Sequence, residues 1–280
     1  MPSPSSTLVS PSTPTSAGTV IPPTSANLRS FGAITWANPT TGSEQTDIYV
    51  ATPAGELLVY QPVPSGILGV PRQAGNAGWQ FITPIGLADW NHDNYPDLVA
   101  RNDSTCNEMV YPGSPTGFGL PTQIGTGWCG YTFYGITDWT RDGHHDIIAV
   151  DSGGTQWVYP GDLTGGTATR IQIGTGWSSD LTPWGIADFN GDNHPDIITR
   201  QSSTSQLRMY PGDNTGTGNG AGTVIGSGFT GATFFGFTKY YVANQPLAML
   251  TRFTGTLTRY TTNGAGGWSN GTGTAIATGW

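Results

Sequence analysis

Charge is scarce in this chain. Only 10% of its 280 residues are Asp, Glu, Lys or Arg, with one lysine (Lys239) and three glutamates (Glu44, Glu56, Glu108). Lys and Glu are good helix formers, so their near absence argues against a helical fold. The balance that remains is acidic, with a formal net charge of −8. That excludes the basic footprint expected of a nucleic-acid binder. No apolar run approaches the ~18 residues of a membrane span, and no secretory hydrophobic stretch stands at the start. Cysteine is nearly absent too. Cys106 and Cys129 lack metal-ligand spacing and form either one disulfide between neighbouring repeats or two buried thiols. The signatures GxSxG, HExxH and the phosphate loop are missing, and the expectation is a binding module rather than an enzyme.

What is abundant is glycine (42), proline (21) and aromatic residues, with 10 Trp, 11 Tyr and 10 Phe. That mixture suits many short strands joined by tight turns. Residues 1–24 are rich in Ser, Thr and Pro and carry no charge. They read as an extended linker, which makes an upstream partner domain an expectation. Beyond them the chain repeats. LLVYQP, EMVYPG, QWVYPG, LRMYPG and LTRYTT align on Tyr60, Tyr111, Tyr159, Tyr210 and Tyr260, spaced by 51, 48, 51 and 50. Asp47, Asp97, Asp146 and Asp196 keep the same period, with Pro246 in the fifth place. So do Gly78-Trp79, Gly127-Trp128, Gly176-Trp177, Gly228-Phe229 and Gly279-Trp280. Repeats at about 27–77, 78–126, 127–175, 176–227 and 228–280 follow.

Each repeat reads as four strands. In the third they are 134–139, 146–151, 155–160 and 168–174, runs of β-branched and aromatic residues between Gly-rich turns. Such a unit cannot bury its own faces, but radial stacking buries them. The predicted fold is therefore all-β: a five-bladed β-propeller of four-stranded antiparallel blades over 25–280. The first repeat lacks the opening Gly-Trp and the last ends on a spare one. Ring closure is expected where Gly279-Trp280 docks on the first blade.

Between the first two strands of the central repeats lie DWNHDNYPD (89–97), DWTRDGHHD (138–146) and DFNGDNHPD (188–196). Oxygen donors fall at positions 1, 3, 5 and 9: Asp89, Asn91, Asp93 and Asp97; Asp138, Thr140, Asp142 and Asp146; Asp188, Asn190, Asp192 and Asp196. Position 7 (Tyr95, His144, His194) offers a main-chain carbonyl. Position 6 (Asn94, Gly143, Asn193) tolerates a positive φ. Alternate oxygens on a tight loop are what a hard cation such as Ca²⁺ requires. Three such ions would bring the charge from −8 to about −2. The four histidines, His92, His144, His145 and His194, alternate with the carboxylates and are expected to face solvent.

These motifs resemble the FG-GAP/VCBS repeat, whose core is a DxNxDGxxD loop followed by a hydrophobic strand. The YPGD and IGTGW elements are similar to those of secreted bacterial proteins. The resemblance implies a propeller with about three structural Ca²⁺ ions, located outside the cell. It extends to propeller lectins, both the tachylectin type and a mushroom lectin with calcium loops. It thereby implies multivalent binding of glycans or glycoproteins, with a protein-binding adhesion or targeting module as the alternative. Aromatic faces stack on sugars, so Trp79, Trp128, Trp177 and Trp280 are the candidate sugar contacts. Each of them is equally a candidate wedge between blades.

Overall fold

The computed structural model describes residues 28–162, 166–213, 215–240, 246–269 and 273–280. Segment 1–24, read above as a linker, lies outside the described residues. Five four-stranded antiparallel sheets follow one another along the chain, each ordered as a simple meander. The first blade comprises Arg29–Ala37, Glu44–Ala51, Leu57–Tyr60 and Arg72–Gly75; the second Ile82–Ala88, Asp97–Asn102, Asn107–Tyr111 and Thr122–Gly125. The third is Thr132–Thr137, Asp146–Val150, Gln156–Tyr159 and Ile171–Gly174. The fourth is Leu181–Ala187, Asp196–Gln201, Gln206–Tyr210 and Thr223–Gly226; the fifth Thr233–Thr238, Ala248–Phe253, Thr256–Thr261 and Thr274–Thr278. The helix content among the described residues is one 3₁₀ turn, Trp79–Phe81, and no helix is long and apolar enough to cross a membrane.

In the third blade the first strand lies two residues earlier than expected and the other three are shorter than their apolar runs suggest. Trp139, the last residue of the expected first strand, turns away from the ladder and is buried. The fourth strand starts late because Ala168 N–H donates to Pro160 O (2.7 Å) and closes the preceding loop.

The first strand of every blade lines the axis, and each touches the first strands of both neighbours, so the ring is closed. It encloses a central cavity of about 520 Å³ lined by all five. Every inner strand carries a bulge at one place: Ser30/Gly32, Pro84/Gly86, Phe133/Gly135, Pro183/Gly185 and Phe234/Gly236. The approach of the next blade is tightest at the fifth. A Cβ on Gly236 would lie 2.8 Å from the Ala33 main-chain nitrogen.

The closing seam lies between the fifth and first blades, where Leu68 N–H donates to Ile276 O (3.3 Å) and side chains fill the rest. Leu28, Ile48, Val50, Tyr60 and Leu68 share one core with Phe235, Tyr240, Leu250, Leu257, Ile276 and Trp280. Trp280 packs 4.8 Å from Tyr60 and 5.6 Å from Phe235, centroid to centroid. Arg252 donates to Leu28 O across the seam (3.2 Å).

Candidate functional site

Antiparallel meanders put the 2–3 turns and the blade-to-blade connections on one face of the ring. The 1–2 and 3–4 loops occupy the other. On the first face, the aromatic after each connecting glycine donates its main-chain N–H to the 2–3 turn of the preceding blade. Trp79 bonds Gly55 O (3.1 Å), Trp128 bonds Cys106 O (2.9 Å), Trp177 bonds Gly154 O (3.0 Å), Phe229 bonds Ser205 O (3.3 Å) and Trp280 bonds Gly255 O (2.9 Å). All five acceptors sit at positive φ, including the non-glycines Cys106 (58°) and Ser205 (56°). A strained residue recurring at one period marks a joint the surrounding fold enforces.

The side chains then wedge between blades. Trp79, Trp128, Trp177 and Trp280 are 2%, 5%, 7% and 4% exposed. Each lies against the repeat tyrosine of the following blade, at 4.9 Å (Tyr111), 4.4 Å (Tyr159), 4.7 Å (Tyr210) and 4.8 Å (Tyr60). Packing therefore occupies most of the surface that sugar stacking would need. At the second joint Cys106 and Cys129 are disulfide-bonded, which settles the two options left by sequence. The bond staples turn to wedge.

A groove of about 360 Å³ opens beside one wedge, between the third and fourth blades. Its floor holds Trp177 and Tyr134, whose rings meet edge to face at 5.2 Å. Its rim holds Thr132, Asp151, Ser152, Ser178, Ser179 and Thr182.

The opposite face carries the carboxylate loops. In the second blade Asp93 N–H donates to both Asp89 Oδ1 and Asn91 Oδ1 (2.9 Å each), and Asn94 N–H donates to Asp89 Oδ2 (3.0 Å). The fourth blade repeats this with Asp192 N–H on Asp188 Oδ1 (3.1 Å) and Asn190 Oδ1 (2.8 Å). In the third, Asp142 N–H reaches Asp138 Oδ1 (3.1 Å), and Thr140 takes no equivalent place. In the second and fourth blades the position-5 amide thus draws the side-chain oxygens of positions 1 and 3 together. Position 6 has the expected left-handed backbone at Asn94 (70°), Gly143 (88°) and Asn193 (63°).

Position 9 behaves differently. Asp97, Asp146 and Asp196 are each 0% exposed. Asp97 Oδ2 accepts from the amides of Trp90 (2.9 Å) and Asn91 (3.0 Å), and its Oδ1 from Gly113 (2.7 Å). Asp146 accepts from Thr140 (2.7 Å) and Gly161 (3.0 Å), and Asp196 from Phe189 (2.9 Å) and Asn190 (3.1 Å). Asp97 and Asp146 thereby tie the 1–2 loop to the Pro-Gly start of the 3–4 loop. Burial pushes Asp97 and Asp196 up to about 6, against the pull of those amides. Each loop then keeps two outer carboxylates. Among the described residues no three Asp, Glu, His or Cys side chains gather as a metal-holding group. The oxygens of the first two donor positions accept from the loop's own amides, and the ninth acts as a structural anchor.

The imidazoles link neighbouring loops. His92 Nε2 lies 3.2 Å from His144 Nδ1, and Arg141 lies 3.0 Å from His194 Nε2. Residues at position 4 of one loop thus meet position 7 of the next. His145 is half-buried, and burial pulls its pKa down.

A second set of wedges escaped the sequence reading. Trp90, Trp139, Phe189 and Tyr240, at position 2 of the 1–2 segments, are all buried. The 3–4 loop of the following blade covers them: Gly266 N–H bonds Phe189 O (3.3 Å), and Tyr240 O–H donates to Gly66 O (3.1 Å). Their spacings of 49, 50 and 51 match the repeat period, and that is the signal that would have found them.

Five meander blades, two sets of interlocking aromatics and a carboxylate-loop face define the class: a five-bladed β-propeller. Residues 138–199 match the family model of the FG-GAP-like repeat, a stretch holding two of the three carboxylate loops. AofleA from Arthrobotrys oligospora is similar in structure, with a TM-score of 0.50 at 12% identity over 89% of this chain and 72% of that one. The Aleuria aurantia lectin, six-bladed and fucose-recognising, has a TM-score of 0.48 at 17% identity over 88% of this chain and 78% of its own. The Agrocybe aegerita lectin, which recognises non-reducing terminal N-acetylglucosamine, has a TM-score of 0.46 at 16% identity over 85% of this chain. This chain spans 64% of that lectin's length. No curated protein matches the chain. At such identities the likeness is one of fold.

Proposed function

We propose that this chain is an exported carbohydrate-binding propeller, with structural Ca²⁺ in its carboxylate loops and no catalytic role. The observation that carries the reading is the groove between the third and fourth blades. Packing leaves little of Trp177 and Tyr134 open at its floor, so the hydroxyl-rich rim of Thr132, Ser178, Ser179 and Thr182 carries the contacts to the sugar's own hydroxyls. Low charge and many aromatics agree with an uncharged, amphipathic ligand. The Cys106–Cys129 disulfide supports an oxidising compartment. In each occupied loop the ion would take two carboxylates, one amide or hydroxyl oxygen and main-chain carbonyls.

A glycan array run with and without EDTA tests this. Binding to a defined glycan class is the expected result, lost when Ser178 and Thr182 are both changed to Val. An empty array, beside saturable binding to a deglycosylated protein, overturns it. Chelation is expected to lower the melting temperature, because an ion at 100 times its Kd contributes about 2.7 kcal/mol to the folded state. An unchanged melting curve in EDTA removes calcium from the reading and leaves the sugar groove standing.

A further inference from the structure

The carboxylate-loop face carries two contacts of the same kind and of unlike chemistry. At the joint between the third and fourth blades, Arg141, at position 4 of its loop, donates to His194 Nε2 (3.0 Å) and Asn193 O (3.4 Å) of the next. A guanidinium keeps its proton, so that contact always holds a positive charge. At the joint between the second and third blades the same two places hold His92 and His144. Nε2 of the first lies 3.2 Å from Nδ1 of the second, with the ring planes 73° apart. Neutral imidazoles bring no charge to their joint.

His92 keeps its place against backbone strain. Position 4 is left-handed in all three loops, at His92 (61°), Arg141 (62°) and Gly191 (80°). Gly191 shows that glycine serves this turn. The two loops that carry a side chain there hold it in a sparsely populated conformation, and both side chains reach the neighbouring loop.

The separation of the two nitrogens is that of a chelating pair. Two nitrogens bonded to a tetrahedral Zn²⁺ at about 2.0–2.1 Å stand about 3.3 Å apart. A single hydrogen bond between neutral rings fits the same separation, and the surrounding charge favours the cation. Asp89, Asp93, Asp138 and Asp142 belong to the two loops that meet here, and none of them is ion-paired with Lys or Arg among the described residues.

We infer that His92 and His144 form a two-imidazole site for a divalent transition ion of the Zn²⁺ type, which supplies the charge that Arg141 brings to the next joint. Water completes the coordination shell, because no third side-chain ligand gathers with them among the described residues. Imidazole suits zinc, copper and nickel, whereas calcium and magnesium take oxygen, so the site differs in chemistry from the carboxylate positions. The ion spans the second and third blades on the face opposite the Cys106–Cys129 bridge, and that joint is then clasped at both ends. This inference does not depend on the carbohydrate reading.

The test is a Zn²⁺ titration of the untagged chain in excess Ca²⁺, followed by calorimetry and by two-bond ¹H–¹⁵N spectra of the imidazoles. One saturable zinc site is expected, shifting His92 Nε2 and His144 Nδ1 and raising the melting temperature. Mg²⁺ in place of Zn²⁺ is expected to give neither response. His92→Gly suits the left-handed backbone, as Gly191 does, and His144→Ala keeps its main-chain carbonyl. Each is expected to weaken zinc binding at least tenfold while the zinc-free melting temperature changes little. Zinc binding unchanged in both variants, shifts confined to His145 and His194, or an equal response to Mg²⁺ overturns the site. So does the absence of saturable zinc binding to a folded chain.

Discussion

The joint between the second and third blades and the joint between the fourth and fifth are made from the same parts and finished differently. In the former, Trp128 fills the gap, presses on Tyr159 at 4.4 Å and is flanked by the Cys106–Cys129 bridge. In the latter, Phe229 stops short and no bridge is present among the described residues. Period and main-chain hydrogen bond are held constant, while the side chains that fill the joint differ. A repeated fold can thus vary the packing at each boundary while keeping the main-chain joint unchanged.

Removing the filling should separate the two joints most clearly. Trp128→Ala is expected to cost about 4 kcal/mol, the range for emptying a buried aromatic site. Phe229→Ala, beside an existing cavity, should cost about half as much. Denaturant unfolding of both variants measures this, and equal losses would mean the joints are energetically alike.

Next comes the bridge. Replacing Cys106 and Cys129 by Ser opens a loop with a sequence separation of 23 and should cost about 3 kcal/mol. A wild-type protein insensitive to reductant in a thermal melt would count against that figure.

The bridged joint also hides a defect. Glu108 is 0% exposed, and neither carboxylate oxygen has a hydrogen-bond partner among the described residues. Burial pushes its pKa up to about 8. The unfolded chain gives up this proton near pH 4.5 and the folded chain near 8, so between those values the unfolded state binds fewer protons. Stability contributed here is fully present at low pH and falls as pH rises through that window. Leu57, Leu207 and Leu257 hold the same position in other blades, also at 0% exposure. Glu108→Leu is therefore expected to stabilise the fold at pH 8 by about 2 kcal/mol and to flatten the decline above pH 5. A variant whose pH–stability curve parallels the wild type's would show that Glu108 does not titrate this way. The smallest effect belongs to the Phe229 joint, where Phe229→Trp should gain about 1 kcal/mol of buried apolar contact, read as a slightly higher urea midpoint.

Much of this arrangement is legible in the residue order, because a propeller turns period into geometry. The tyrosine and Gly-aromatic anchors give the blade count and the wedges directly, and the spare Trp280 gives the seam. Other features depend on side-chain direction, which spacing does not encode. Asp97 opens a strand, so the pleat sets where its carboxylate points, and it points inward to three amides. Read as a loop residue, it looks like one more cation donor. The second wedge set was overlooked because Trp90, Trp139 and Phe189 sit inside the carboxylate motif, whose acids draw attention first. The disulfide was undecidable because it needs two turns of neighbouring blades at bonding distance.

Among the described residues every blade is cut from one length of chain, and no four-stranded sheet borrows a strand from another repeat. The seam between the fifth and first blades is consequently just one boundary of five, carrying the same aromatic-to-turn contact as the rest. Genetic duplication or loss of a single repeat would leave each remaining sheet whole and change only the ring's circumference. For such a molecule the number of binding positions is a quantity that recombination can adjust in single steps.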